Sequence, residues 1–493
     1  MNQKQSQRHD PPINPWNREL RLSPEFFDER AMAVLKTLEE AGFEAWLVGG
    51  SVRDNILGRP LNDYDVTTDA KPREIIALFG NARSIPTGLK HGTVTVLSGG
   101  LPVEVTTFRQ DCEYADHRRP KKVLFSNCLQ DDVARRDFTI NAIAWSPFNG
   151  LFDPFDGVRD IEESVVRAVG IPGQRFNEDA LRILRAMRIS SELRFTIDPA
   201  TREAMLANVG LLRFISIERV TQEVSRIILA NPGAVWADFQ PIWQAIFPLL
   251  AESPSEIRAK ISWNIFNMLS PLESVRFPAF FLLLSQFAQP TEEAHFIPSG
   301  PMSGIMESDD DSIAELLNCL RLSNDSYNHI LRTAGALRDI LRLLFDYRPP
   351  HVKHLRKPVS LRMDPGDYSG KIPERTEELT KRGTRYALRR AMREHGADSC
   401  RAAVDILQVA LRFGYEQQLS DLLRAVNQVK YSEVPHTIGG LRIDGTAIMR
   451  YGVRPGEQIG EILRTLIEEV MAENIENDRE SLLRAVRDIL RYG

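Results

Sequence analysis

The sequence predicts an α+β protein: a small α/β sheet domain followed by a long succession of α-helices. Two observations carry this. Short β-rich runs cluster between residues 45 and 108 with one helical stretch among them. After about Asp160 the strand signals fade, and amphipathic helical stretches dominate to the C-terminus. In chain order, residues 1–23 read as a polar, proline-bearing arm. A helix then begins near Ser23-Pro24, where serine suits the N-cap and proline the first helical position, and ends at Gly42. The strand runs are Ala45–Val48, Asp63–Thr67, Thr93–Leu97 and Pro102–Phe108, with a helix over Pro72–Phe79. Helical stretches follow at Glu178–Leu193, Ser216–Leu229, Ser312–Leu320, Asp325–Phe345, Glu374–Glu394, Cys400–Phe413 and Ile459–Ala472. Segments 286–311 and 348–373 read as loops or insertions, and the acidic run Asp309-Asp310-Asp311 reads as solvated because nothing spaces it as a cation cage.

The chain has 493 residues, 43% apolar and 26% charged, enough for a large core and for roughly two to four domains. A net charge of −5 gives no overall basic excess, so a nucleic-acid partner requires a local basic surface. Cys112, Cys128, Cys319 and Cys400 are scattered without metal spacing, which predicts a reducing compartment, no disulfide and no structural zinc. The first twenty residues have neither the apolar core of a signal peptide nor the pattern of a transit peptide, and the apolar stretch Phe277–Leu284 is too short to span a bilayer. The expected location is cytoplasmic.

The chemistry concentrates in WLVGGSVRDNILGRPLNDYDVTT, residues 46–68. Asp63 and Asp65 stand at i and i+2 of a strand and share a face. Two carboxylates that close repel unless a cation lies between them, and magnesium takes such oxygen ligands while leaving positions for water and phosphate. In nucleotidyl transfer one ion activates the attacking 3′-hydroxyl and another neutralises the leaving pyrophosphate. Glu104, facing away from Val103 and Val105 by strand alternation, is the expected third carboxylate. Upstream, Gly49-Gly50 before a helical start either forms a simple turn or lets backbone N–H groups approach a phosphate, with Arg53 available for a charge-assisted contact.

LVGGSVRDNILG, DYDVTT, RRDFTINAIAW (Arg135–Trp145) and RFNEDALRILRAMR (Arg175–Arg188) resemble, in order and spacing, the bacterial class II tRNA nucleotidyltransferase and poly(A) polymerase family. LRIDGTAIMRYGVRPGEQIGEIL (Leu441–Leu463) resembles the tail element of its CCA-adding branch. The resemblance implies a nucleotidyltransferase-type head and a helical neck, body and tail in an elongated hook. On this chain the expected divisions are an arm at 1–23, a head at 24–159, a neck at 160–215, a body at 216–373 and a tail at 374–493.

The resemblance also implies roles. Asp63 and Asp65 are the metal ligands, with Glu104 beside them as a catalytic carboxylate. Gly50 and Arg53 contact the triphosphate, and Arg136, Asp137 and Asn141 contact nucleotide and ribose. Asp179, Arg182, Arg185 and Arg188 match a neck helix that reads the incoming base. Asp179 and Arg182 are spaced i, i+3, so on one helix they lie side by side. A carboxylate accepting from an exocyclic amine and a guanidinium donating to a ring nitrogen fit both cytosine and adenine. Uracil and guanine invert that pattern and leave polar groups unpaired, at roughly 1–3 kcal/mol each.

The expected function is template-independent addition of CCA to the tRNA 3′ end from CTP and ATP, with two Mg2+ ions, and tRNA rather than DNA or a membrane as partner. Residues 111–125, with Arg118 and Arg119, resemble the flexible loop of CCA-adding and A-adding enzymes; C-only enzymes shorten it. Ile85–Gly92 stands where poly(A) polymerases of this family carry a basic Gly-Arg-Arg-Phe type element. The alternatives are A-only addition, then polyadenylation, then a silent RNA-binding module, against which the intact Asp63/Asp65 pair argues. The only His-Asp pair is His9-Asp10, in the polar arm, so an appended phosphohydrolase is not expected. Lys381, Arg382, Arg385, Arg389, Arg390 and Arg393 lie within 13 residues and form either a face that follows a phosphate backbone or a solvated helix face balanced by Glu374, Glu377 and Glu378. Gly452–Gly460 reads as an interhelical turn or as a helix N-terminus brought towards a phosphate.

Overall fold

A computed structural model describes residues 22–61, 63–114, 120–250, 263, 266–287, 310–345, 382–410 and 416–492. The chain divides into two compact units, residues 1–245 and 246–493. Most of the N-terminal arm, Arg118 and Arg119, Lys381, Glu374, Glu377 and Glu378, most of segment 286–311 and all of 348–373 lie outside the described residues.

In the first unit, Ser23 and Pro24 open only a short 3-10 turn, Pro24–Phe26, and the helix proper, α1, is Glu29–Glu40. The true N-cap is Asp28, whose side chain accepts from the Arg30 N–H at 2.9 Å. The sequence expectation of one helix from Ser23 therefore merged two elements. After α1 come β1 (Ala45–Val48), α2 (Gly50–Ile56), β2 (Tyr64–Thr68) and α3 (Pro72–Phe79). Helix α3 keeps its expected limits because Pro72 opens it and the Glu74 side chain accepts from the Lys71 N–H at 2.7 Å. Strands β3 (Ser84–Gly88), β4 (Thr93–Ser98) and β5 (Leu101–Thr107) follow.

Next come β6 (Arg109–Tyr114) and β7 (Pro120–Phe125), an antiparallel pair occupying most of the expected loop, then α4 (Leu129–Ala134), β8 (Ala144–Ser146) and β9 (Gly150–Phe152). The main sheet has the order β3-β4-β5-β2-β1-β8-β9. Only β2 and β5 pair in parallel; the other neighbours are antiparallel. Val66, Val94, Val96, Val103 and Val105 are buried on one face. On the other, Trp46, Val48, Phe108, Leu129, Val133, Ala142, Ala144 and Val169 form a core cluster. Burying side chains of this size contributes about 1.5–3 kcal/mol each.

Helix α5 (Gly157–Glu162) starts where a Cβ on Gly157 would stand 2.3 Å from the Thr139 carbonyl oxygen, so that approach requires glycine. A two-stranded parallel ladder then pairs β10 (Val165–Val166) with β11 (Thr196–Ile197), strands too short to register in the sequence. Between them, α6 (Pro172–Glu178) is followed by a break and α7 (Leu181–Leu193), so the expected helix Glu178–Leu193 begins three residues too early, across that break. Helices α8 (Pro199–Ala207) and α9 (Ile217–Leu229) follow.

In the second unit the helices Glu273–Phe287, Asn324–Phe345, Arg382–His395, Ala397–Ala410 and Glu416–Lys430 pack together. Phe247, Trp263, Phe266, Phe280 and Phe281 form an aromatic cluster with ring centroids 5.5–6.4 Å apart. A separate core of Leu441, Ile443, Ile448, Ile462, Leu466, Ile467, Val470, Leu482 and Val486 joins Gly445–Met449, Glu457–Met471 and Arg479–Tyr492. Asp444 caps the first of these three by accepting from the Ala447 N–H at 2.9 Å, and Gly452–Gly456 form the interhelical turn that follows. Among the described residues no helix is long and apolar enough to cross a membrane.

Candidate functional site

The parallel register sets Asp65 on β2 directly opposite Glu104 on β5, and Glu104 in turn opposite Thr95 on β4. Asp63 lies two residues before Asp65, just outside the strand, and is exposed, as is Glu104, whereas Asp65 is half-buried. Desolvation pushes the Asp65 carboxyl above its ordinary range; the neighbouring Arg136 opposes that and Asp63 adds to it. Glu104 is also pushed up, by desolvation and then by repulsion from Asp65 and Asp63. The three expected carboxylates thus lie near one another on one face of the central strands β2 and β5, without their oxygens closing into a single cluster, and Asp65 and Glu104 each sit where a neighbouring charge opposes ionisation. Oxygen donors that repel one another fit a divalent cation.

The desolvation of Asp65, with the added repulsion from Asp63, yields a stability prediction. A carboxyl raised in the folded state destabilises the fold once it ionises: the cost is absent below the ordinary carboxylate value, grows as pH rises through it, and is complete above the raised value. Asp65→Asn is therefore expected to raise the unfolding midpoint of the metal-free protein at pH 7.5 by about 1–3 °C, a difference that narrows towards pH 4. Scanning fluorimetry with EDTA checks both, and a lowered midpoint refutes the sign.

Gly49 and Gly50 form the turn from β1 into α2. Gly49 has φ +80°, and a Cβ there would stand 3.1 Å from Arg136 Nη1 and 3.5 Å from Asp65 Oδ2. Glycine is thus required both for the backbone conformation and for bringing this turn against the carboxylate face. Arg53 forms a bidentate pair with Asp54 at 3.0 and 2.9 Å and donates from Nη1 to Asn141 Oδ1 at 2.6 Å. Asn141 donates to Asp137 at 3.0 Å, and Arg185 Nη2 lies 2.8 Å from the other Asp137 oxygen. Burial opposes the Asp137 charge, yet Arg185, Asn141, Arg182 and the Phe138 N–H hold its carboxyl at about 2. Four expected contact residues, Arg53, Asp137, Asn141 and Arg185, therefore form one connected network.

Asp179 and Arg182 do not lie side by side on one helix. Asp179 sits in the break between α6 and α7 with extended backbone, φ −140° and ψ 103°, and its carboxylate accepts from the Leu181 N–H at 3.1 Å. Aspartate favours helix starts for this reason. Its partner is Arg219 on α9, at 3.0 and 3.4 Å. Arg182 is buried at 8% exposure and donates to Glu178 at 2.8 Å, to the Arg135 carbonyl at 2.8 Å and to the Arg175 carbonyl at 3.3 Å. Three of its five N–H donors are used in this way. Arg188 is held farther along α7 by Glu223 at 2.6 Å and Glu192 at 2.9 Å. The helix is buried on nearly every side, which removes the reading of an ordinary surface helix.

Sequence reasoning missed Arg219, which comes from a separate helix 40 residues away and leaves no local spacing signal; it also missed Glu178 and Asp132, which the i,i+3 and i,i+4 spacing of their arginines could have flagged. If Arg219 fixes the Asp179 carboxylate, Arg219→Ala should lower the preference for CTP over UTP about fivefold, the equivalent of roughly 1 kcal/mol, with Arg219→Lys intermediate. Single-nucleotide incorporation assays measure this, and an unchanged preference rules the role out.

In the basic segment, Arg385 pairs with Glu473 at 2.7 Å and Arg393 with Glu468 at 2.7 Å. Arg389 is 2% exposed and donates to Glu473 and to the Met471 carbonyl. Arg390 is exposed. The balancing carboxylates come from the end of Glu457–Met471 and just beyond it, about 80 residues away in sequence.

Three carboxylates on one face of the central strands, beside a glycine turn and a guanidinium network, fit the head of a nucleotidyltransferase. The family model described as "Poly A polymerase head domain" matches residues 45–167, and that described as "Probable RNA and SrmB- binding site of polymerase A" matches 194–238. The CCA-adding enzyme of Lactobacillus delbrueckii subsp. bulgaricus is 33% identical over 92% of this chain and 96% of its own length. That of Streptococcus suis is 32% identical over 95% and 98%. The crystal structure of the Bacillus stearothermophilus CCA-adding enzyme in complex with CTP matches 95% of this chain and 98% of its own, with a TM-score of 0.65 and 25% identity. The Thermotoga maritima CCA-adding enzyme complexed with tRNA shares the fold, covering 95% of this chain and 97% of its own, with a TM-score of 0.56 and 20% identity. The chain belongs to the family of CCA-adding enzymes.

Proposed function

We propose that this chain adds C, C and A to the 3′ end of tRNA from CTP and ATP, in the cytoplasm, with magnesium held by Asp63 and Asp65. The observation that carries the chemistry is the Asp65–Glu104 register, with Asp63 two residues away. When bound, the ions activate the terminal 3′-hydroxyl and neutralise the pyrophosphate. Asp63 and Asp65 supply the charge that retains them, and Glu104 adds to the negative field on the same face. The Gly49-Gly50 turn and Arg53 receive the triphosphate, and Arg136, Asp137 and Asn141 orient the nucleotide.

Asp179 and Arg182 read the base by accepting from the amine and donating to the ring nitrogen. They do so from a capped helix start rather than from a helix surface. Arg185 and Arg188 support that reading, Arg185 through its pairing with Asp137. On this reading the head spans 24–159, the neck 160–215, the body 216–373 and the tail 374–493, with Arg118 and Arg119 in the segment 111–125 that resembles the family's flexible loop. Lys381, Arg382 and Arg390 follow the tRNA backbone, flanked by Arg385 and Arg393, whereas Arg389, expected to do the same, does not, because its side chain is buried against Glu473.

Incorporation on three tRNA transcripts, ending before CCA, after the first C and after CC, tests the reading with CTP, ATP and both. Addition of CCA to the first with a clean stop supports it. Growth only on the CC-ended tRNA means A-only addition, a long A tail means polyadenylation, and no incorporation means a binding module.

A further inference from the structure

We propose that Asp132 is a positioning residue that ties the base-reading helix α7 to the carboxylate-bearing strand β2, so that nucleotide choice and transfer share one buried support. The inference deepens the functional reading above and rests on it. Asp132, on α4, has no exposed surface. Its Oδ1 accepts from Arg135 Nε at 3.0 Å and Nη2 at 2.6 Å; its Oδ2 accepts from Thr67 Oγ1 at 3.1 Å and Arg136 Nη2 at 3.2 Å.

Each partner leads to a different part of the site. Thr67 lies two residues beyond Asp65 on β2, on the same face. Arg136 reaches the Gly49 turn beside Asp65. The Arg135 carbonyl accepts from Arg182 Nη2 at 2.8 Å. One carboxylate thereby fixes the strand, the guanidinium beside its carboxylates and, through a single peptide, the guanidinium that reads the base.

Stability alone does not call for this arrangement, since an apolar cluster of similar volume commonly serves as well as a buried ion cluster. What the carboxylate supplies is direction: four hydrogen bonds of set geometry, three of them from guanidinium forks. Being buried, Asp132 acts through its partners rather than on the nucleotide.

The test compares the full chain with Asp132→Asn and Thr67→Val on a tRNA transcript lacking CCA, reading kcat, the KM for CTP, the preference for CTP over UTP, and the unfolding midpoint. For Asp132→Asn we expect KM to rise and the preference to fall, each about tenfold. A role in folding alone would reduce the active fraction, and so apparent kcat and the midpoint, while leaving KM and preference intact; that result overturns the proposal. If Asp132→Asn does not fold, Thr67→Val decides, because it removes one hydroxyl at nearly constant volume. About threefold changes in KM and preference support the proposal, and no change in either overturns it. Absence of incorporation by the unsubstituted chain overturns the functional reading and this inference with it, and is distinguished by that control.

Discussion

Asp65→Ala is expected to lower nucleotide incorporation by about 10³-fold or more, the scale of several kcal/mol of charge stabilisation at the reacting phosphate. Three carboxylates lie on one face of the central strands, but Asp65 alone is both half-buried and in register with Glu104, so its loss removes the donor fixed most firmly by the strands. tRNA affinity should stay within about twofold, because backbone contacts of the kind that hold a duplex depend on cationic surface rather than on this face. Glu104→Gln, at the more exposed position, should cost less, about 10–100-fold. Primer extension and filter binding on the same preparations separate the two effects. Surviving activity in Asp65→Ala would sink the assignment of the metal site.

The second large effect concerns fidelity. Asp179→Ala should reduce the preference for CTP over UTP by about 10–100-fold, as expected when a site built to accept from an amine loses its acceptor. The substitution also frees Arg219 and removes the bond to the Leu181 N–H, so part of the effect comes from a loosened start to α7. Asp179→Asn separates these contributions. It retains a carbonyl acceptor for the helix start but supplies an amide in place of the second oxygen, and should restore the unfolding midpoint more fully than the preference. Misincorporation measured nucleotide by nucleotide checks this, and an unchanged preference in Asp179→Ala would place base reading elsewhere.

The sheet was legible wherever strands were long and β-branched. β1 and α3 have the limits expected, β4 runs one residue longer, and β2 and β5 are each shifted by one residue. β3 was hidden by the Pro86 and Gly88 in its five residues, and β8 and β9 are three residues each, too short for alternation to show. The carboxylate site was legible because strand periodicity fixes faces: Asp65 and Glu104 occupy the face that alternation gave them. For Asp179 and Arg182 the sequence spacing misled about geometry. A continuous helical pattern ran through Asp179, whereas the side chain terminates the pattern by bonding the next turn. The partners of the basic segment were illegible because Glu468 and Glu473 lie about 80 residues away, and no local spacing reports such a distance.

The parallel pairing of β2 with β5 bears on how the chain reaches its working state. A parallel pair cannot close through a hairpin; here α3 and the antiparallel β3–β4 pair intervene before Glu104 meets Asp65. The Thr67–Asp132 bond spans 65 residues and the Arg53–Asn141 bond 88. Contacts so distant in sequence form late, after the loop-closure entropy has been met. During synthesis, a nascent chain that has not yet reached residue 141 holds the acidic strand and Arg53 but neither Asn141 nor Arg182 and Arg185, which complete the network. Catalytic competence should therefore arise in one cooperative step with the folding of the first unit, leaving no half-built intermediate able to transfer nucleotides to the wrong RNA.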